Sequence, residues 1–286
     1  MREKPLKWRM LAALGRAVNV AIRLPFAPLG KRREAIAVST ILEQMHYAYV
    51  ATAPNGSEIK FFSPGYKPAF RGISLFTKQP EVPPWIESFQ PGDVLWDVGA
   101  NVGAYSLYAA TRPGVKVLAF EPEASNYYVL TRNIALNNFW KTITAYNFAL
   151  AEKTEFSVLS SFHSAIGGSK HAFGDPEDSW EEDDPVVMQQ GMVAFGVDQL
   201  IEDHGFARPT HLKVDVDGIE EMILAGAPKT LRHPDLKTIH IEVQKYKPEA
   251  EAKIRQTLMD AGFVLKVESG PNLIWERAGA EGKGAS

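Results

Sequence analysis

Short apolar runs recur along this chain and alternate with stretches of helical spacing. Val94 to Val98, Val115 to Phe120, Thr142 to Phe148, His211 to Val216 and Thr238 to Val243 each read as a buried strand. A continuous apolar run bounded by turn residues suits a strand covered on both faces. Between these runs, Ala104 to Ala110, Glu123 to Asn138, Ile219 to Leu231 and Pro248 to Ala261 carry apolar residues at helical intervals. Phe156 to Phe162 alternates as a further strand. Phe263 to Val267 and Leu273 to Glu276 flank Ser269-Gly270-Pro271-Asn272 as a hairpin. Alternating strands and helices predict parallel pairing with right-handed crossovers. The expected fold is α/β, a Rossmann-like doubly wound, mostly parallel sheet ending in an antiparallel hairpin.

The N-terminal third has a different pattern. A helix is expected from about Leu6 to Leu24, with Leu11, Leu14, Val18 and Ile22 along one face. Arg2, Arg9, Arg16 and Arg23 recur every seven residues, which keeps them on one side. After the prolines Pro25 and Pro28, a second helix is expected from about Arg33 to Gln44. His46 to Val50 and Glu58 to Phe62 alternate like strands around the turn Pro54-Asn55-Gly56. His46 reads as structural, since no second histidine follows at metal-ligand spacing. The expected organisation is a basic helical segment over 1–34, a small α+β cap over 35–90, a cofactor-binding domain over 91–278 and a tail over 279–286.

Charge sharpens that division. Residues 1–34 hold nine Lys/Arg against two Glu, a balance of +7, and the remainder holds 22 against 32, a balance of −10, which together give the −3 of the whole chain. A basic amphipathic helix suits an anionic membrane surface, or else packs on the catalytic domain or on a second copy of the chain in a homo-oligomer. Arginines interrupt its apolar stretch, unlike a signal peptide. No apolar run reaches the roughly 18 residues of a membrane span. The chain has no cysteine. Disulfides, thiol catalysis and cysteine-ligated zinc are therefore excluded, and a cytoplasmic setting is expected, peripheral to the inner face of a membrane if the basic helix binds lipid.

The candidate chemistry centres on Asp97-Val98-Gly99-Ala100-Asn101-Val102-Gly103. This is the first strand-to-helix turn of a nucleotide-binding sheet, where ligands sit beyond the strand ends. A dinucleotide fingerprint wants glycine where this chain has Asn101, and a carboxylate at Asp97 is poorly placed for a diphosphate. The same carboxylate suits a cationic amine, so S-adenosyl-L-methionine (SAM) is expected rather than NAD. Glu121, 24 positions after Asp97, lies near the spacing at which an acid bonds ribose hydroxyls. Gly99, Asn101, Gly103 and Pro122 belong with these two acids, and Phe148 and Ala149 could flank an adenine. Asp215 and Glu242 close the strands that follow. As a pair they could act as a base or hold a divalent cation through oxygen ligands. Helix capping by Asp215 or Asp217, and an ion pair of Asp215 with Lys213, are the structural alternatives. His163, in the hydroxyl- and glycine-rich loop Ser160 to Ser169, is a candidate base for an acceptor hydroxyl. Residues 175–184 carry seven acids in ten positions. Such a run reads as a solvated loop, with Trp180 as a candidate stacking face for a sugar, and it argues against a nucleic-acid partner.

With these residues in view, the chain resembles the FkbM family of SAM-dependent methyltransferases. The resemblance rests on Thr77-Lys78-Gln79-Pro80-Glu81, the Asp97 to Gly103 turn, Phe120-Glu121-Pro122 and Asn147-Phe148-Ala149-Leu150. It continues through Leu212-Lys213-Val214-Asp215-Val216-Asp217-Gly218-Ile219-Glu220 and Ile239-His240-Ile241-Glu242. The family more often has Glu where this chain has Asp217. The resemblance implies O-methylation of a sugar or glycan hydroxyl, or of a polyketide or other small natural product. Two other functions compete: an NAD(P)-linked oxidoreductase or epimerase, and a SAM-binding scaffold without catalysis, recruited to a membrane or partner. Asn101, Asp97 and the lack of a Tyr-x-x-x-Lys pair after the fourth strand count against the first.

Overall fold

The computed structural model describes residues 6–44, 47–162, 165–169, 171–174 and 185–279. The chain divides into two compact units, residues 1–47 and 48–286. His46, His163 and the acidic run with Trp180 lie outside the described residues.

The first unit consists of α1 (Leu6–Arg23), a 3₁₀ turn over Leu24–Leu29 and α2 (Lys31–Gln44). Pro25 at the first turn and Pro28 inside it explain why α1 stops there, since proline breaks the helical hydrogen-bond ladder. Arg23 Nε donates to Glu34 Oε1 at 2.9 Å and ties the two helices. None of the described side chains of this unit is buried. Among the described residues, no helix is long and apolar enough to cross a membrane.

The second unit opens with a hairpin, β1 (Ala48–Thr52) and β2 (Glu58–Phe62), in antiparallel register about the predicted turn. Two helices follow, α3 (Tyr66–Ile73) and α4 (Val82–Glu87). The central sheet is then laid down by β3 (Val94–Val98), β4 (Lys116–Phe120) and β5 (Ile143–Tyr146), with α5 (Ala104–Ala110) and α6 (Ala124–Leu136) between them. A second, four-stranded sheet is inserted next: β6 (Ala149–Ala151), β7 (Glu155–Ser161), β8 (His171–Phe173) and β9 (Met188–Gly196). After α7 (Val197–Glu202) the main sheet resumes with β10 (His211–Val214), α8 (Glu220–Ala225), α9 (Pro228–Arg232), β11 (Thr238–Glu242) and α10 (Pro248–Asp260). It closes with β12 (Phe263–Ser269) and β13 (Asn272–Arg277).

The seven-stranded order is β12-β13-β11-β10-β3-β4-β5. Strands β11, β10, β3, β4 and β5 are parallel neighbours, and β13 is antiparallel to both β11 and β12. The final hairpin thus inserts its last strand inside the edge. The mostly parallel α/β sheet matches the expectation. The inserted sheet is larger than the one strand expected there, because β9 reads as mixed polar and apolar, half of it exposed.

Two cores cover the two faces of the main sheet. One gathers Trp96, Phe120, Leu212, Val214, Ile241 and Trp275, among others. The other joins Leu95, Leu107 and Val117 to Ile59 and Phe61 of the opening hairpin and to Trp85, Ile86 and Phe89 around α4. The single helix expected over Ile219 to Leu231 is two helices. A Cβ on Gly226 would stand 2.2 Å from Ala151 O, so the backbone packs tightly there, and Pro228 begins a new helix at its first turn. The strand expected to run to Val216 stops at Val214, although Asp215 N still donates to Val98 O at 3.1 Å.

A buried polar relay locks α4 to the rear of the sheet. Trp85 Nε1 can only donate, and it does so to Thr238 Oγ1 at 2.7 Å. Thr238 Oγ1 is 2.7 Å from His211 Nδ1, and His211 Nε2 is 2.9 Å from Asp93 Oδ2. The arrangement requires a neutral His211 that accepts from Thr238 and donates to Asp93. Burial holds the imidazole pKa below its ordinary value against the opposing pull of Asp93. Lys237 Nζ donates to the other oxygen, Asp93 Oδ1, at 2.6 Å. Although burial pushes the Asp93 carboxyl the other way, these donors hold it well below the usual carboxylate range. A depressed carboxylate adds stability above its unfolded pKa and loses it as pH falls below. Asp93→Asn is expected to cost about 2–4 kcal/mol at pH 7 and to flatten the loss of stability below about pH 4. Urea unfolding at pH 7 and pH 3 measures both.

Candidate active site

A cavity of about 300 Å³ opens at the carboxyl ends of β3, β4 and β10. Its floor is the turn after β3. Gly99 takes φ +79° there, and a Cβ on it would stand 2.0 Å from Asp215 O. Gly103 takes φ +85°, and a Cβ on it would stand 2.4 Å from Leu130 Cδ1. Both glycines are therefore demanded by the protein's own packing and left-handed backbone, before any ligand arrives. Gly103 does not line the cavity, whereas Gly99 and Asn101 do. Asn101 is itself left-handed at φ +53°. Its backbone N–H donates to Glu121 Oε2 at 2.6 Å and its side-chain Nδ2 to Gly168 O at 2.6 Å. Asparagine here fastens the turn to the loop at Gly167–Gly168, which Asn126 also grips through Gly167 N at 2.7 Å.

Glu121 stands at the end of β4, buried, with Oε1 accepting from Glu123 N at 2.9 Å. Burial pushes its carboxyl up to about 8 even against these two backbone donors. Phe120, Pro122, Phe148, Ala149 and Leu150 line the adjoining wall. Phe148 also packs on Phe120, Tyr146 and Phe195, with ring centroids 5.6, 5.4 and 4.9 Å away. It is core and cavity wall at once.

Asp97 departs from the expectation. It does not line the cavity, and only 1% of it is exposed. Ser106 Oγ donates to its Oδ2 at 2.5 Å, and Lys213 Nζ stands 3.3 Å from its Oδ1. Lys213 reaches Asp215 Oδ2 on its other side at 3.1 Å. The spacing that makes this bridge is simple: Lys213 pairs across the parallel ladder with Asp97, and Asp215 follows two residues on the same face. Burial alone would lower the ammonium pKa, but Asp215 and Asp97 together hold it above the ordinary lysine value. The argument that a free Asp97 carboxylate repels a diphosphate is thereby corrected, because the lysine has already neutralised it.

Asp215 and Glu242 come together at the rim, as their strand-end positions implied, and both line the cavity. Gln79 binds the pair, its Nε2 lying 3.4 Å from Asp215 Oδ2 and 3.3 Å from Glu242 Oε2, with Asn272 Oδ1 at 3.0 Å. Burial and the neighbouring Asp215 charge push Glu242 up to about 8. Burial would raise Asp215 too, but Lys213 holds it below the usual carboxylate range. Near neutral pH the pair carries one proton, on Glu242. A divalent cation does not fit this donor set: one carboxylate is spoken for by Lys213, the other is protonated, and no group of three His, Cys, Asp or Glu able to hold a metal occurs among the described residues. Neither Asp215 nor Asp217 caps α8, whose N-cap Ile219 makes no side-chain bond. Asp217 Oδ2 accepts from His171 N at 2.9 Å.

Three lining groups were not anticipated. His171 faces the cavity with Nδ1 2.9 Å from Ser161 Oγ. Arg71 and Lys78 line it from α3 and the turn after it. His171 lies just beyond the loop of His163, and the apolar spacing of α3 was the available signal for the other two. Lys213→Met is expected to destabilise the fold by about 3–5 kcal/mol, because two carboxylates lose their buried counter-ion. The double change with Asp97→Asn should recover part of that loss, and chemical denaturation of the single and double variants measures the coupling.

The comparisons with known proteins agree with this geometry. Residues 97–265 match the model of the methyltransferase FkbM domain. Methyltransferase sdnD of Sordaria araneosa is 31% identical over 192 residues, which cover 58% of this chain and 72% of that one. Hexuronic acid methyltransferase AglP of Haloferax volcanii is 24% identical, covering 63% and 72%. The 31-O-demethyl-FK506 methyltransferase FkbM of Streptomyces tacrolimicus is 25% identical, covering 76% and 90%. Among solved structures, methyltransferase FkbM of Methylobacillus flagellatus aligns with a TM-score of 0.44 at 16% identity, over 64% of this chain and 43% of that one. With more than half of its length matched by that domain, this chain belongs to the FkbM methyltransferase family.

Proposed function

We propose that this chain transfers a methyl group from SAM to a hydroxyl oxygen of a sugar, glycan or other small natural product. The observation that carries the reading is one cavity that joins the Glu121 carboxylate and the aromatic wall of Phe120 and Phe148 to the Asp215–Glu242 pair. The donor set fits the cofactor. Glu121 offers acceptor oxygens to a ribose diol, and Phe148, Ala149 and Leu150 offer an apolar slot to an adenine. When bound, the cofactor supplies a methyl group on a sulfonium, transferable to an oxygen in line with the departing sulfur. The chain's own task is to orient the acceptor oxygen and exclude water. Asp215, ionised and fixed by Lys213 and Gln79, accepts a hydrogen bond from the acceptor hydroxyl. The pair takes up the hydroxyl proton as the new C–O bond forms. The names of AglP and the FK506 methyltransferase support a hydroxylated acceptor.

α1 suggests a membrane-surface role for the first unit. Met10, Leu14 and Val18, one turn apart on a single face, are 64%, 61% and 46% exposed. Arg9, Arg16 and Arg23 fall on the opposite side. An amphipathic helix with an exposed apolar face and a +7 segment suits an anionic lipid surface. Full-length protein should co-sediment with phosphatidylglycerol vesicles and less with phosphatidylcholine ones. The double change Leu14→Gln, Val18→Gln should abolish the difference. Equal partitioning of both proteins refutes the contact.

Calorimetric titration tests the cofactor: S-adenosylhomocysteine (SAH) should bind, and NADH should not. Tight NADH binding with no SAH binding would overturn the reading. Ribose hydroxyls favour the ionised Glu121, so binding should release a proton below about pH 8. SAH affinity is then expected to rise from pH 6 to 8 and level off above. Glu121→Gln should weaken SAH by about tenfold or more, roughly one charge-assisted hydrogen bond, and remove the pH dependence.

A further inference from the structure

We infer that Arg71 and Lys78 form a carboxylate-receiving subsite at the cavity mouth, and that the methyl acceptor supplies the carboxylate. The inference rests on the methyl-transfer reading above and narrows its acceptor to a hydroxy acid, such as a sugar acid.

Arg71, Ser74, Leu75 and Lys78 recur at helical spacing, and all four line the cavity. Lys67 lies one turn before Arg71, and its Nζ would stand 3.4 Å from a Cβ on Gly168 in the covering loop. Three cations thus follow one wall. Among the described residues, none of them has a carboxylate within ion-pair distance, whereas the deeper Lys213 has two. Arg71 turns Nε and Nη2 toward Gly167 O, at the long distances of 3.4 and 3.3 Å. The three charges strain one another. Burial and then the Arg71 charge hold the ammonium groups of Lys67 and Lys78 below their ordinary pKa. An arriving anion relieves that repulsion.

A single negative charge fits better than two. Asp215, Asp217 and Glu242 line the same cavity, and a phosphate dianion would meet them. A carboxylate can take the planar guanidinium fork of Arg71 with Lys78 beside it. Position favours the acceptor over the cofactor's own carboxylate. Lys78 is exposed at the mouth, while Glu121 and the glycine turn are deep. Lys78 is also near enough to Asp215 and Glu242 for their charges to act on it, so the subsite adjoins the proposed hydroxyl position.

The test uses the full chain saturated with SAH, titrated with D-glucuronate and with D-glucose as the neutral control, followed by NMR. Glucuronate should bind about tenfold or more tighter than glucose, as one charge-assisted contact implies. Arg71→Gln and Lys78→Gln should each erase that preference while SAH affinity stays within about threefold, under one such contact. Equal or undetectable binding of the two sugars overturns the inference. So does a loss of SAH affinity in the variants, which would assign the cations to the cofactor's carboxylate. Failure of the wild-type chain to bind SAH is a separate result, and it removes the cofactor reading and this inference together.

Discussion

The site depends on one buried ammonium. Lys213 lies between Asp97 and Asp215, on adjacent parallel strands, with almost no solvent to share the charge. Each carboxylate alone would be costly at that depth, and so would the lysine. Together they set the character of the cavity. Asp97 is withdrawn into the core, where it anchors Ser106 in α5. Asp215 is kept ionised at the rim. Glu242, facing that fixed negative charge, is driven to hold a proton. One lysine thus decides which carboxylate is charged, which is neutral and which is out of reach.

Around this charge the backbone is compressed rather than merely flexible. Gly99 is needed because the Asp215 carbonyl fills the space of a side chain, and Gly103 because Leu130 does. The turn is therefore pre-shaped by its neighbours on β10 and α6. Asn101 adds the remaining constraint by bonding Glu121 on one side and the Gly168 carbonyl on the other. The floor, the proposed ribose acceptor and the covering loop move as one piece.

The segment before the main sheet closes the other side. Gln79 clamps the acid pair, while Trp85, two residues into a proline-led helix, is tied through Thr238 and His211 to Asp93. Both fastenings cross from a helical lead-in to strand ends. The cationic wall of Arg71 and Lys78 is thereby held against the cavity by contacts at either end of its own segment. Positioning of this kind is what an orienting enzyme requires.

Much of this was legible along the chain. Apolar runs and helical spacing located the parallel strands, the glycine turn and the closing hairpin, since burial on both faces leaves a local imprint. Glu121, Asp215 and Glu242 were legible because strand ends of such a sheet meet at one rim. The partner of a charge was not. Asp97 looked free because Lys213 is 116 positions away in sequence and adjoins it only through strand pairing. Arg71, Lys78 and His171 were overlooked for the same reason: α3 and the inserted sheet reach the cavity through packing, which no local pattern records. Sequence determined which segments form strands and which residues could carry chemistry. Tertiary structure decided which of those charges are neutralised, because Coulomb energy in a buried site depends on distance through space and not along the chain.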